Sequence, residues 1–141
     1  MNTIQVNIHT SSGIVPAYAT PASAAFDLRS TIAASMAPGK RIVIPTGAFL
    51  DIPDGYCGQI WPRSGLAYHN GIEVLAGLID SDYTGEIKAI LRNGGDVPFL
   101  IEEGDRIAQM MFVKYAKADF REVSEIPSKS DHVGFGSTGH N

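Results

Sequence analysis

The sequence predicts an all-β domain, a distorted jelly-roll barrel or sandwich with one short helix and a flexible C-terminal tail. Fifteen Gly and eight Pro divide 141 residues into pieces too brief for a helical bundle. Between them the apolar residues alternate with period two, the mark of strands with one buried face. No helical pattern persists beyond two turns. Short strands at this spacing fold into two layers, which protects their sheet edges.

Taken in order, strands are expected at Gln5–Ile8, Arg41–Pro45, Ala48–Ile52, Tyr56–Ile60, Glu86–Leu91, Phe99–Ile101 and Ile107–Val113. Turn signals lie between them at Pro38-Gly39, Pro53-Asp54-Gly55 and Asn93-Gly94-Gly95. The one helix is expected over Gly65–Asn70. From Ser124 onward the apolar content falls and Ser, Lys, Asp and Gly take over. That change divides the chain into a core, residues 1–123, and an arm, residues 124–141.

Composition excludes several classes of function. A hydrophobic content of 44% suits one globular domain. Apolar runs such as Ile42–Ile44 are far shorter than the roughly 20 residues that cross a bilayer as a helix. A net charge of −4 argues against holding long nucleic acid, although a small anion needs only a few local donors. Cys57 is the single cysteine, so no intrachain disulfide forms and a buried thiol is expected. The residues from Met1 to Gln5 carry neither a secretory nor a transit pattern, which places the protein inside the cell, in cytoplasm or nucleus. His9, His69, His132 and His140 are too scattered for a metal site of known spacing.

Four segments carry chemical groups. Gly77 to Glu86 sets two glycines around an acidic, aromatic tip and reads as a β-hairpin. Its Gly77, Leu78 and Ile79 backbone can read the edge of a planar base, and Asp80 beside it can take a proton from water. On spacing alone Asp80, Ser81 and Asp82 are more often turn formers than catalysts. Pro62 to Ala67 presents the Arg63 guanidinium, the Ser64 hydroxyl and Gly65 at a helix start, a set of donors for phosphate oxygens. Gly104 to Gln109 places Arg106 and Gln109 around a turn entering a strand. Gly134 to Gly139 has the composition of a phosphate loop, since glycines let backbone N–H groups approach an anion.

With Ala25-Phe26-Asp27-Leu28-Arg29-Ser30 ahead of them, these segments resemble, in order and wording, the five motifs of the trimeric dUTPase family. The resemblance covers the chain from about Ala25 to Asn141. It implies a jelly-roll subunit in a homotrimer, with shared active sites and each arm closing over a neighbour's site. It also implies hydrolysis of dUTP to dUMP and pyrophosphate, which keeps uracil out of DNA. Asp80 is then similar to the family's general base, and Tyr83 to the aromatic that lies against deoxyribose and excludes a 2′-hydroxyl. Asp27 matches the carboxylate that supports the metal-bound phosphates through water. Arg63, Ser64, Gly65 and Gln109 match phosphate contacts, and Arg106 has a structural or interfacial place. Phe135 matches the aromatic that stacks on uracil, with Gly136, Ser137 and Thr138 around it. Mg²⁺ is implied as the cofactor, held by substrate phosphates and water with no direct protein ligand. A dCTP deaminase of the same fold class and a weakened nucleotide-binding or regulatory trimer are the alternatives.

One departure stands out. The family reads Arg-Gly-x-x-Gly-Phe-Gly where this chain reads Ser130-Asp131-His132-Val133-Gly134-Phe135-Gly136. In the family that arginine clamps the γ-phosphate. Lys129 is one substitute, with a point charge in place of a fork. His132 is another, and a clamp with no replacement is the third reading.

Overall fold

In the computed structural model, which describes residues 3–136, alternation becomes burial. Strand β1 (Asn7–Thr10) is followed by β2 (Phe26–Arg29), β3 (Ala34–Met36), β4 (Arg41–Asp51) and β5 (Tyr56–Trp61). After helix α1 (Ser64–Asn70) come β6 (Ile72–Leu75), β7 (Leu78–Ile79), β8 (Glu86–Asn93), β9 (Phe99–Ile101) and β10 (Arg106–Lys114). Along β8, Ile87, Ala89 and Leu91 are fully buried while Lys88 between them is exposed.

The strands form two four-stranded sheets, ordered β1-β4-β8-β6 and β2-β10-β5-β7, and a small pair β3-β9. All the pairings are antiparallel. Ile44, Ile87 and Leu91 of the first sheet join Leu28, Ile107 and Met110 of the second in one core. Removing such a side chain leaves a cavity, so Leu91→Ala should cost about 2–5 kcal/mol. Cys57 lies buried as expected.

Several expectations need correction. Arg41–Pro45 and Ala48–Ile52 are one strand, β4, whose register shifts between Pro45 and Ala48. Pro45 lacks an N–H and Gly47 tolerates the kink, so the sequence reads as a break where the strand only bulges. Strand β1 is displaced to Asn7–Thr10, where Asp51 to Ala48 pair with it. Strand β8 runs on to Asn93, whose buried amide donates to the carbonyls of Met36 and Val97. Strands β2, β3 and β6, three or four residues long, were not expected.

The expected hairpin over Gly77–Glu86 is not a two-stranded pair. Its first arm, β7, pairs with β5, and its second, β8, pairs with β4 and β6 in the other sheet. Local sequence shows two arms and a turn, but partner choice is tertiary. The helix falls where expected and starts one residue earlier, with Gly71 in the left-handed conformation closing it.

Beyond Lys114 the residues from Tyr115 to Gly136 form no helix or strand, and all but Gly134 are exposed. They include Phe120, Val123 and Ile126, large apolar side chains that the domain's own core does not cover. Among the described residues no helix is long and apolar enough to cross a membrane.

Candidate active site

Three segments distant in sequence meet at one end of the second sheet because β10 lies between β2 and β5. Its register sets Gln109 opposite Asp27 on one side and Trp61 on the other. Their neighbours Met110, Phe26 and Ile60 are buried, so alternation turns all three away from the core.

From Trp61 the chain passes through Pro62 and Arg63 into α1. Gln109 Nε2 donates to the Pro62 carbonyl at 2.9 Å, and Arg63 Nη1 donates to the Arg106 carbonyl at 3.3 Å. These bonds fix the loop against β10. The Asp27 carboxylate then lies between two guanidiniums, with Oδ1 3.3 Å from Arg63 Nε and Oδ2 3.6 Å from Arg106 Nη1. Two cations and one anion leave a positive balance, which suits a polyanionic ligand. Ser64 and Gly65 follow Arg63 directly as the first residues of α1.

Gly77, Leu78, Ile79, Asp80 and Tyr83 lie at the other side of the same sheet. Gly77 accepts a hydrogen bond from Ile60 N–H at 2.8 Å with φ at 102°. A Cβ there would stand 2.8 Å from the Ile60 carbonyl oxygen, so only glycine lets the chain turn this closely onto β5. Leu78 then pairs with Gln59 and Ile79 with Gly58. One more step of that register puts Asp80 level with Cys57. The distance from Asp27, four residues along and three strands across, is on the order of 20 Å.

Asp80 is exposed, and within the described residues its carboxylate takes no hydrogen bond or ion pair. Its carbonyl accepts from Tyr83 N–H at 3.1 Å, closing a turn over Asp80–Tyr83. Tyr83 Oη donates to the Glu86 carbonyl at 2.6 Å, which holds the ring beside the turn.

Local hydrogen bonds organise the arm residues. Ser128 Oγ donates to the Ser130 carbonyl at 2.9 Å, and Ser130 Oγ accepts from His132 N–H at 3.2 Å. Ser130 therefore builds a local turn where the family places its arginine, with Lys129 exposed beside it. Phe135 is fully exposed and has a positive φ of 49°, between Gly134 and Gly136 at 82° and 78°. Ser137 and Thr138 lie outside the described residues.

A single chain thus assembles Asp27, Arg63, Ser64, Gly65, Arg106 and Gln109, and sets the Gly77–Ile79 strand with Asp80 at a distance from them across the sheet. The sequence reading passed over Trp61, which is 52% exposed beside Gln109 and donates from Nε1 to Gln59 Oε1 at 3.3 Å. Alternation after buried Ile60 was the signal for it. Among the described residues no group of three or more His, Cys, Asp or Glu is placed to hold a metal ion.

The two-layer β fold with a cationic cluster at one sheet end defines an all-β protein equipped to hold a polyanion. A family model described as dUTPase matches residues 11–139. The deoxyuridine 5′-triphosphate nucleotidohydrolase of Rhizobium rhizogenes is 45% identical over 132 residues, covering 89% of this chain and 85% of that protein. The chain belongs to the dUTPase family. Its fold is also that of the Staphylococcus bacteriophage 80alpha dUTPase solved with dUPNHPP, with a TM-score of 0.90 at 24% identity over 98% of this chain and 100% of that one. A mutant dUTPase from phage phi11 of S. aureus, described with a structural Mg(II) ion, gives a TM-score of 0.78 at 24% identity over 88% of this chain and 98% of that one. At these identities the two phage structures speak for the fold alone.

Proposed function

We infer that the chain hydrolyses dUTP to dUMP and pyrophosphate at sites shared between the subunits of a homotrimer, with Asp80 as the general base. The observation that carries this reading is the separation of Asp80 from the Arg63–Gln109 cluster across one sheet face. A water held at Asp80 attacks the α-phosphorus in line, and an exposed carboxylate free of protein partners can accept its proton. Arg63, Ser64, Gly65 and Gln109 hold the phosphates, an amide having a second N–H beyond the one given to Pro62. Asp27 and Arg106 orient Arg63. Tyr83 walls off the 2′ position of the sugar, while the Gly77–Ile79 backbone reads uracil and Phe135 covers it.

Among the described residues no group of three or more His, Cys, Asp or Glu is placed to hold Mg²⁺, so the reading rests on the implied family chemistry. In that chemistry the ion is held by substrate phosphates and water, as this hard cation prefers, with Asp27 as the carboxylate nearest the phosphate donors. When bound, Mg²⁺ supplies neutralisation of the charge on the leaving pyrophosphate. Positioning and electrostatics account for most of the rate.

The outward face of the second sheet supports assembly. Between the cationic end and Asp80 it presents the half-buried Met111 and Val113 and the 65% exposed Leu78. A second copy packed there sets its acidic turn, Asp80 and Asp82, against the first copy's Arg63 and Arg106. Such a head-to-tail contact closes into a three-membered ring when each copy is turned by a third of a circle from the last. The exposed Phe120, Val123 and Ile126 suit an arm, residues 124–141 with the stretch before it, laid over a neighbour.

The test is pyrophosphate release with dUTP, dTTP, dCTP and UTP as substrates. Rapid release from dUTP alone supports the reading. Ammonia from dCTP would favour the deaminase alternative, and tight nucleotide binding without turnover would favour the weakened trimer.

A further inference from the structure

The structure assigns Gly85 and Glu86 as positioning residues that set the sugar selectivity of the Tyr83 wall, an inference that rests on the reading of Tyr83 given above. Tyr83 reaches out from a turn and is 42% exposed, so packing alone does not fix its ring. Two contacts do. The hydroxyl donates to the Glu86 carbonyl at 2.6 Å, and the ring lies over Gly85. A Cβ at Gly85 would stand 2.9 Å from the Tyr83 hydroxyl oxygen, 3.0 Å from Cζ and 3.3 Å from Cε2. The φ of Gly85 is not in the left-handed region, so its requirement is space for the ring and not backbone freedom.

The second half of the brace ties this corner to the other sheet. Glu86 Oε2 accepts the Gly47 N–H at 2.9 Å, at the bulge where β4 shifts register. Thr46 Oγ1 of the same bulge donates to the Ile87 carbonyl. The bulge, which frees backbone groups from the ladder, therefore anchors the first residues of β8. The chain of contacts runs from Gly47 through the Glu86 side chain and backbone to the Tyr83 hydroxyl.

A methyl group at Gly85 must push the ring aside and open room for a 2′-hydroxyl. Loss of the Glu86 carboxylate must loosen the carbonyl that holds the hydroxyl. Discrimination between dUTP and UTP should then fall with little demand on the phosphate end.

The experiment measures kcat/KM for dUTP and UTP in wild type, Gly85→Ala, Glu86→Ala, Glu86→Gln, Tyr83→Phe, Tyr83→Phe with Gly85→Ala, and Tyr83→Ala, with melting curves for each. We expect the dUTP to UTP ratio to fall about tenfold in Gly85→Ala and by a smaller factor in Glu86→Ala. Glu86→Gln, whose amide oxygen still accepts the Gly47 N–H, should restore the ratio. In the Tyr83→Phe background the nearest contact of the new methyl is gone, so adding Gly85→Ala should move the ratio less than it does in wild type. Equal losses for both nucleotides in Gly85→Ala and Glu86→Ala would mark them as structural and overturn the proposal. A ratio that falls in Tyr83→Ala yet holds in both would remove the brace alone. An unchanged ratio in Tyr83→Ala would remove the Tyr83 wall and the brace with it. Should Gly85→Ala not fold, the Glu86→Ala and Glu86→Gln pair decides.

Discussion

Asp27 on β2 and Arg63 on the loop after β5 meet at 3.3 Å across the intervening strand β10, with side chains only 23% and 28% exposed. The carboxylate also faces Arg106, so it holds two cations that would otherwise repel each other. Asp27→Asn keeps the shape and removes the charge that aligns Arg63. We expect kcat/KM for dUTP to fall by roughly 10- to 100-fold, in line with loss of a charged hydrogen bond. Melting temperature should hardly change, since a partly exposed pair contributes about 1 kcal/mol or less. A large stability loss with normal activity would make the cluster a fold device.

Asp80→Asn should lower kcat by about 10²- to 10⁴-fold while a non-hydrolysable dUTP analogue binds nearly as tightly as to wild type. The amide fills the same space but cannot take the proton. Turnover at the wild-type rate would remove Asp80 from the base role.

How much of this was legible beforehand differs between levels. Phe99–Ile101, Tyr56–Ile60 and the helix at Gly65–Asn70 could be read because alternation and punctuation are local. Strand β6, Ile72–Leu75, was hidden because four residues after a helix cap show too little period. The hairpin reading of Gly77–Glu86 failed for a different reason: arms joined by one turn found partners in different sheets. Asp27, Arg63 and Gln109 were named from motif order, but their convergence depends on β10 lying between β2 and β5. The Glu86–Gly47 brace had no sequence signal, since a bulge and a carboxylate far apart in the chain must first be brought together.

Lys129→Ala and a truncation before Ser130 separate the readings of the arm. Ser130 commits its hydroxyl to a turn, so the cation one residue earlier is the candidate clamp. If Lys129 takes that role, both variants should lower kcat/KM, Lys129→Ala by about 1–3 kcal/mol of transition-state stabilisation. A silent Lys129→Ala beside a damaging truncation would leave the arm to His132, Phe135 and its neighbours.

Met111→Glu puts a charge on the outward face of the second sheet, midway between the two half-sites. We expect light scattering to show dissociation towards monomers, with activity that recovers at high protein concentration. An intact oligomer would place the subunit contact elsewhere.

Complementation between two inactive variants tests the shared site most directly. Asp80→Asn and Arg63→Ala subunits are unfolded together in equal amounts, refolded and assayed for pyrophosphate release from dUTP. If each site takes Asp80 from one chain and Arg63 from the next, about a quarter of the sites in randomly mixed rings regain both residues, and activity returns to about that fraction of wild type. A mixture as inactive as its two parents would contradict the account.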